Sequence, residues 1–465
     1  MTVLTAHARH TIGHNHRCIA KVRCGKGGRV HLDRPTVGKS DIVHRGRLST
    51  WNSRTRGFHM TALSDSTKTV RSPKANMWIV VAIAAISVMA SSGASRSFGL
   101  FLPPVTETLG TGREVFSLAI ALQSLLFGLP LAAFVADRLG AKWVLSGCAM
   151  LFAAGLVLTS VTASQFGLFA GLGALVGFGM SGTGFVVVFG AVGRVVPPER
   201  RSAIFGLVTA AGSAGIFLMA SLSQQLIDSF GWQTAMLWLA AIFCVVALIA
   251  LLLPSAADSG SEDGDSLSFI DVLYRARSNR SYKLLIAGFF VCGFHVSFIA
   301  AHLPAFLQDG GLDTWVSSTA LGLIGLFNIG GSIFFGSMGD RMSKRTLLAI
   351  LYSLRAVLMS VFLLVPLTTV SALLFSAIMG FLWLATVPLT SGIVASLFGT
   401  RNLSSLYGLV FVGHQLGAFL GVWLGGRVFD ATGSYDVVWL IAIGLGVASA
   451  LIHLPIDEKP VQPTR

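Results

Sequence analysis

The segment VADRLGAKW, residues 135–143, and its near-copy MGDRMSKR, residues 338–345, determine how this chain folds. Both contain an Asp-Arg pair, and the second pair follows the first by 203 residues, at 137–138 and 340–341. Each copy comes directly after an apolar run long enough to cross a membrane. The repeated loop therefore predicts that one structural unit occurs twice in the chain.

A second repeat supports this interpretation. RSAIFGLV at 201–208 returns as LSSLYGLV at 403–410, which is an offset of 202 residues. Two motifs with nearly the same offset, each at the same place in its half, are strong evidence for a duplication. Two copies of a helical unit in the same orientation are typical of carriers that move one half against the other.

The composition places the chain in a lipid bilayer. Hydrophobic residues make up 53% of the 465 residues and charged residues only 12%, whereas soluble domains carry about a quarter charged residues. A water-soluble enzyme is therefore excluded, and apolar windows of about 20 residues mark the membrane spans. Twelve spans are predicted near 77–102, 115–136, 142–160, 165–192, 202–226, 232–253, 283–307, 316–338, 346–366, 370–394, 404–426 and 436–455.

The paired loops resemble the signature loop of the major facilitator superfamily, G-x-L-A-D-R-x-G-R-R. Within it, RRSAIFGLVTAAGSAG (200–215) is similar to the fifth-span signature of the monocarboxylate transporter family. The segments at 294–311 and 413–426 resemble its bacterial relatives, including those grouped near oxalate/formate exchangers. The resemblance covers residues 76 to about 458 and implies an all-α polytopic membrane protein, with twelve transmembrane helices in two six-helix bundles.

Two family features are missing. Of the family's acid-Gly-Gly-Trp-Gly-Trp motif at the start of span 1, this chain has only Trp78. Animal monocarboxylate members have an Asp–Arg pair on span 8, and this chain has Asn328 and Ser332 at those positions. The proton relay of those members therefore cannot be carried over to this chain.

The predicted organisation is a basic tail, two bundles, a linker and a short end segment. The tail, 1–75, holds 15 basic and 3 acidic residues, shows no helical or strand periodicity and is expected to be disordered. The N-terminal bundle covers 76–254, the cytoplasmic linker 255–281, the C-terminal bundle 282–456 and the cytoplasmic tail 457–465.

Three interpretations of the tail compete. The favoured one is that translation starts at Met60, which would leave a short polar leader before span 1. A basic arm for nucleic acid or anionic lipid is an alternative, although no nucleic-acid partner is expected. Zinc binding is a third, but the spacing of its candidate ligands matches no ordinary site; these are His14, His16, Cys18 and Cys24.

The distribution of basic residues predicts the orientation. Segments on one side of the predicted spans carry 18 Lys and Arg residues, and the opposite loops carry only Arg113 and Arg427. By the positive-inside rule both termini and the linker are cytoplasmic. The expected location is the inner (plasma) membrane as a multi-pass protein.

Two arginines lie inside predicted spans, Arg96 late in span 1 and Arg355 near the middle of span 9. A guanidinium there costs at least ~2.5–3.5 kcal/mol, and no Asp or Glu falls inside any predicted span. An intramembrane cation without a protein counter-ion is what a site for an anionic solute requires, and the resemblance places Arg96 where the monocarboxylate family has a basic residue. The alternative for Arg96 is snorkelling to the membrane surface. Arg355 is a candidate for a relay, for the pathway or for packing.

Six further polar residues interrupt the apolar spans. His295 and His302 share a face of span 7 and could shuttle a proton, or they could be hydrogen-bonded packing residues. The remaining four are Gln123, Asn328, His414 and Gln415. All six are expected to neighbour the substrate, together with Arg96.

The leading hypothesis is a secondary active transporter of a small organic anion, a mono- or dicarboxylate, working by proton symport or anion exchange. By the resemblance, the repeated loop residues Asp137, Arg138, Asp340 and Arg341 would act in conformational gating. A carboxylate there can accept hydrogen bonds from the free N–H groups of a neighbouring helix start. The alternative is that the basic residues of these loops only set the topology. We expect no enzymatic activity, cofactor or metal, and a monomer. The alternatives are efflux of neutral hydrophobic compounds and a transporter-like solute sensor.

Overall fold

The computed structural model describes residues 22–24, 30–32, 76–129, 131–197, 200–254, 276–399 and 403–461. Val22–Cys24 (β1) and Val30–Leu32 (β2) pair as antiparallel strands, with Val22 opposite Leu32, which the sequence pattern does not predict. The other predictions for the tail, including the Met60 start and the zinc ligands, lie outside the described residues and side chains. The same holds for most of the linker and for the side chain of Asp137.

Spans 1–6 form the first bundle. Span 1 consists of α1 (Met77–Ser97), a 3-10 turn (Phe98–Phe101) and α2 (Leu102–Leu109). Span 2 consists of α3 (Arg113–Phe127) and α4 (Leu131–Leu139), and span 3 of α5 (Ala141–Thr162). Span 4 comprises α6 (Gln165–Gly167), a π-helix (Leu168–Leu175), α7 (Val176–Thr183) and α8 (Phe185–Val195). Spans 5 and 6 share α9 (Arg201–Ala250).

Spans 7–12 form the second bundle. Span 7 is α10 (Arg280–Asp309), span 8 is α11 (Thr314–Met338) and span 9 is α12 (Lys344–Leu364). Span 10 is divided into α13 (Thr369–Leu382) and α14 (Thr386–Phe398). Span 11 is α15 (Leu403–Thr432) and span 12 is α16 (Asp436–His453).

Ten helices among the described residues are long and apolar enough to cross a membrane. One of them contains two spans, because Gly231 has a φ of 77° and turns the chain between spans 5 and 6. Span 2 is missing from the ten because Pro130 follows α3 in the sequence, and the two pieces on either side are short. With these two included, the predicted twelve spans are confirmed.

Span 1 is longer than the sequence predicts, and Arg96 consequently lies deeper within the span than expected. The proline pair at 103–104 stands at the start of α2, where proline fits, so the helix continues to Leu109 instead of ending near 102. Arg96 therefore lies near the centre of the span, 13 residues from its far end. At 1.5 Å per residue that is about 20 Å, which is too far for the side chain to snorkel to the surface.

Glycines set the packing inside each bundle. In the second bundle, a methyl group added to Gly417 would overlap the carbonyl of Phe290, and one added to Gly421 would lie 2.5 Å from the carbonyl of Phe294. Gly417 and Gly421 of span 11 therefore face span 7, and the two backbones lie in contact. Gly215 faces the carbonyl of Met89 in the same way, which joins span 5 to span 1.

Candidate functional site

Arg96 lines a cavity between the two bundles. Its guanidinium makes no hydrogen bond or ion pair with any residue that the structure describes. The carboxylates of the described spans lie near the ends of those spans, far from Arg96. Among the described residues, no carboxylate is therefore a partner of Arg96, and its role in binding a solute stays a prediction.

The cavity has a volume of about 50 Å³, which is room for a few water molecules. Its polar lining comes from both bundles and consists of Ser95, Arg96, Gln123, Ser124, Ser297 and Gln415. Its apolar wall consists of Phe98, Gly99, Ile120, Phe127, Met180, Ala300, Ala301 and Val422. One cation, several neutral hydrogen-bonding groups and an apolar wall match a small anion with a short carbon skeleton.

Two amides hold the cavity lining in place. Gln123 Nε2 donates to the carbonyl of Leu172 at 3.2 Å, and Leu172 lies in the π-helical segment of span 4, a feature frequent at functional sites. Gln415 Nε2 donates to the carbonyl of Ser124 at 2.8 Å, while its Oε1 accepts from His414 Nδ1 at 2.8 Å. Gln415 thus links span 11 to span 2 at the level of Arg96.

Three of the seven predicted binding residues line the cavity, namely Arg96, Gln123 and Gln415. His414 contacts it only through Gln415 and is stacked on Phe411. The side chains of the other three have hydrogen-bond partners elsewhere.

The two histidines of span 7 bind backbone carbonyls. His295 Nε2 donates to the carbonyl of Ala442 at 2.7 Å. His302 Nε2 donates to the carbonyl of Val422 at 2.8 Å, so Nδ1 accepts from the Tyr435 hydroxyl at 3.2 Å. Both side chains are buried and neither lines the cavity, which matches the packing alternative.

Asn328 joins three helices instead of lining the cavity. Its amide nitrogen donates to Ser213 in span 5 at 2.9 Å, and its oxygen accepts the backbone N–H of Leu384 at 2.9 Å and the hydroxyl of Ser332 at 3.2 Å. These bonds connect span 8 to the other bundle and to the break in span 10.

Arg355 supports the break in span 10. It is fully buried, and its guanidinium donates to the carbonyls of Leu382 and Trp383, where α13 ends, with Nη1 lying 3.8 Å from Cys292 Sγ. The last carbonyls of a helix have no partner within it and carry partial negative charge. Arg355 therefore neutralises a helix end inside the second bundle.

The repeated loops lie at one end of the bundle, which we call the basic face because Lys142, Arg341 and Lys344 lie there. Asp340 and Arg341 are exposed, and their side chains contact no partner among the described residues. Arg138 is also exposed and does have a partner. Gating by these loops stays a prediction.

Three further residues of the cavity lining, Ser95, Ser124 and Ser297, are not among the predicted site residues. Serines are frequent in membrane helices, and nothing in their local sequence marks these three. The repeat does carry a signal, because Ser95 and Ser297 are 202 residues apart, the offset of the duplication. The two repeats thus contribute matching serines to the cavity lining, one from each bundle.

We expect Ser297→Ala to raise the KM for the transported anion about two- to tenfold with little change in the maximal rate, because one neutral hydrogen bond is lost. Concentration-dependent uptake in membrane vesicles measures this. Ser360→Ala is the matched control, since the Ser360 hydroxyl bonds only within span 9. Equal KM values for the two variants would remove Ser297 from the site.

A duplicated twelve-span bundle with a polar cavity between its halves is the architecture of a membrane transport protein. The Major Facilitator Superfamily pattern matches residues 81–421, which is most of the chain. The chain belongs to the major facilitator superfamily, and is a transport protein and not an enzyme.

Proteins of similar sequence support the resemblance to the monocarboxylate transporter family. The chain is 27% identical to monocarboxylate transporter 13 of Rattus norvegicus, over 81% of this chain and 89% of that protein. It is 27% identical to human monocarboxylate transporter 11, over 82% of this chain and 83% of that protein. It is 25% identical to the uncharacterized MFS-type transporter YcxA of Bacillus subtilis, over 82% of this chain and 96% of that protein. The nucleoside transporter NupG has the same fold, with a TM-score of 0.65 over 81% of this chain and 99% of NupG at 16% identity.

Proposed function

We propose that this protein carries a small organic anion, a mono- or dicarboxylate, across the membrane by alternating access. The observation that carries the proposal is the unpartnered guanidinium of Arg96 in a central cavity. A bound carboxylate would supply the missing charge and accept a charge-assisted hydrogen-bond pair. Two of the similar proteins described above are named monocarboxylate transporters, which supports this class of substrate.

Proton symport or anion exchange would drive the movement. The Asp and Glu residues of the described spans lie close to span ends, so no buried carboxylate is placed to carry a proton. The substrate carboxylate itself or a histidine would carry the proton in symport, and a second anion would neutralise Arg96 in exchange. Gln123 and Gln415 would orient the anion from the two halves.

The proposed setting is the plasma membrane, with the basic face in the cytoplasm. The excess of Lys and Arg on that face supports this orientation. We further propose that residues 76–254 and 282–456 move as two bundles around the cavity, and that a monomer is the transporting unit.

Uptake of labelled lactate, pyruvate, oxalate and formate into membrane vesicles tests the proposal, with and without an imposed pH gradient. We expect saturable uptake of at least one of these acids, and competition by the unlabelled acid but not by its amide. The amide has nearly the same shape and lacks only the charge, so it separates anion recognition from apolar binding. Absence of uptake for all four acids, or equal competition by acid and amide, would contradict the proposal.

A gradient-dependent rate would indicate proton symport. Acceleration by a second anion inside the vesicles would indicate exchange. Export of a neutral hydrophobic dye without any acid transport would instead favour the efflux alternative.

A further inference from the structure

A cluster of charged and aromatic side chains joins the two bundles at the face opposite the basic face. Its members come from spans 2, 7, 11 and 12 and are Arg113, Glu114, Asp309, Asp430 and Tyr435; we call them the gate cluster. We propose that the gate cluster is the gate that closes the cavity on this face and that must open to admit a solute from it.

Arg113 is the centre of the gate cluster. Its guanidinium forms a bidentate pair with Asp309, at 2.6 and 2.7 Å, and Nη1 also donates to the Tyr435 hydroxyl at 2.9 Å. The guanidinium carbon lies 3.8 Å from the centre of the Phe429 ring. The side chain is only 15% exposed, compared with 38% for Asp309. A bidentate, aromatic-covered arginine is much better ordered than an ordinary surface ion pair.

Asp430 of span 11 caps a helix that belongs to the other bundle. Its two carboxylate oxygens accept the backbone N–H groups of Arg113 and Glu114, each at 2.8 Å. These N–H groups begin α3 and have no acceptor within that helix, and the helix dipole favours the negative charge. Gly112 makes the approach possible, because a side chain there would overlap the Asp430 carboxylate. When the halves separate, α3 therefore loses its cap.

Glu114 completes the link from span 2 to span 11. Its Oε1 accepts from Trp423 Nε1 and its Oε2 from Arg427 Nη1, both at 3.1 Å. The described ion pairs, Arg113–Asp309 and Arg427–Glu114, thus both connect the two bundles, and both do so at this face.

The gate cluster stands at the ends of two helices that line the cavity further along, because Arg113 begins α3 and Asp309 ends α10. Gln123 and Ser297 of the cavity lining lie 10 and 12 residues along the helices from Arg113 and Asp309, which is about 15 to 18 Å. A solute that enters the cavity from this face must therefore first break the bonds of the gate cluster.

Accessibility of a cavity cysteine tests the gate without reference to the transported anion. The five native cysteines are replaced by alanine, Ala300→Cys is introduced as the reporter, and each protein is accepted if it is monodisperse after purification. Vesicles of both orientations are treated with a membrane-impermeant maleimide, so that each face is probed separately. The measured quantity is the labelling rate of the reporter from each face.

We expect Arg113→Gln and Asp309→Asn each to raise the labelling rate from the gate face about three- to tenfold. The double variant should match the single variants, since removal of either partner already breaks the pair. Arg113→Lys should give an intermediate rate, because it keeps the charge but not the bidentate geometry. Asp313→Asn is the matched control, being an exposed acid four residues from Asp309 that hydrogen-bonds only Trp315.

Rates in the gate variants equal to that of the Asp313→Asn control would overturn the proposal. So would additive effects of the two single substitutions, because the residues would then act independently. Because labelling needs no substrate, a failed uptake screen leaves this result unaffected, and the two proposals can fail separately.

Discussion

Replacing Arg96 by glutamine is expected to abolish transport of the anion, with a fall in uptake of about a hundredfold or more. Removing one partner of a buried charge pair costs about 3–5 kcal/mol, and each 1.4 kcal/mol corresponds to a factor of ten. Among the described residues that line the cavity, Arg96 is the only cation, so none of them can replace it. Arg96→Lys keeps the charge without the bidentate fork and should retain a small part of the uptake.

The measurement is uptake in vesicles, normalised to the amount of protein in the membrane. Arg277→Gln makes the same change at an exposed position outside the spans and is the matched control. Folding of Arg96→Gln should be unimpaired, because its guanidinium contacts no described residue that would be left unpaired. Normal uptake by Arg96→Gln would exclude it from the mechanism and leave the proposed function without its main support.

Replacing Arg355 by methionine is expected to destabilise the protein itself. The substitution leaves the carbonyls of Leu382 and Trp383 without their donor at the end of α13. Each buried unsatisfied group costs about 1–3 kcal/mol, so we expect a lower unfolding temperature and less protein in the membrane. The comparison is thermal unfolding of the purified variants, with Arg355→Lys expected to fall between wild type and Arg355→Met.

The Arg355→Met variant also distinguishes a role of Arg355 in the solute pathway from a role in packing, which the sequence leaves open. A role in the solute pathway predicts that uptake falls while the unfolding temperature stays unchanged. Loss of stability, with the remaining folded protein keeping its KM, supports the packing role that its hydrogen bonds indicate. Arg96 and Arg355 should thus give opposite patterns, although both are arginines inside membrane spans.

Much of the fold follows from the chain because a bilayer imposes strict conditions on the sequence. Backbone groups in lipid must be paired within helices, so span length and hydropathy predict the spans. Span 1 is the exception in length, because its proline pair starts a second helix and does not end the first. The paired strands at 22–24 and 30–32 are the other departure, since no alternation in the sequence marks them.

The site could be predicted only in part. Arg96, Gln123 and Gln415 are polar groups in apolar spans, and this contrast identifies them without a structure. The same contrast also selects His295, His302 and Asn328, which bind partners inside the helix packing. Polarity shows that a buried group needs a partner, but it does not show whether that partner is a backbone carbonyl or a solute.

The sequence by itself determined the membrane class, the duplication, the twelve spans and the lack of Asp and Glu inside the predicted spans. These depend on composition and on periodic or repeated positions, which are properties of the chain alone. Only the tertiary structure decided which polar residues meet in the cavity, that Arg355 serves a helix end, and that Arg113 and Asp309 join the two bundles. Arg113 and Asp309 are 196 residues apart, and contacts at such separation depend on how the helices pack, which no local pattern records.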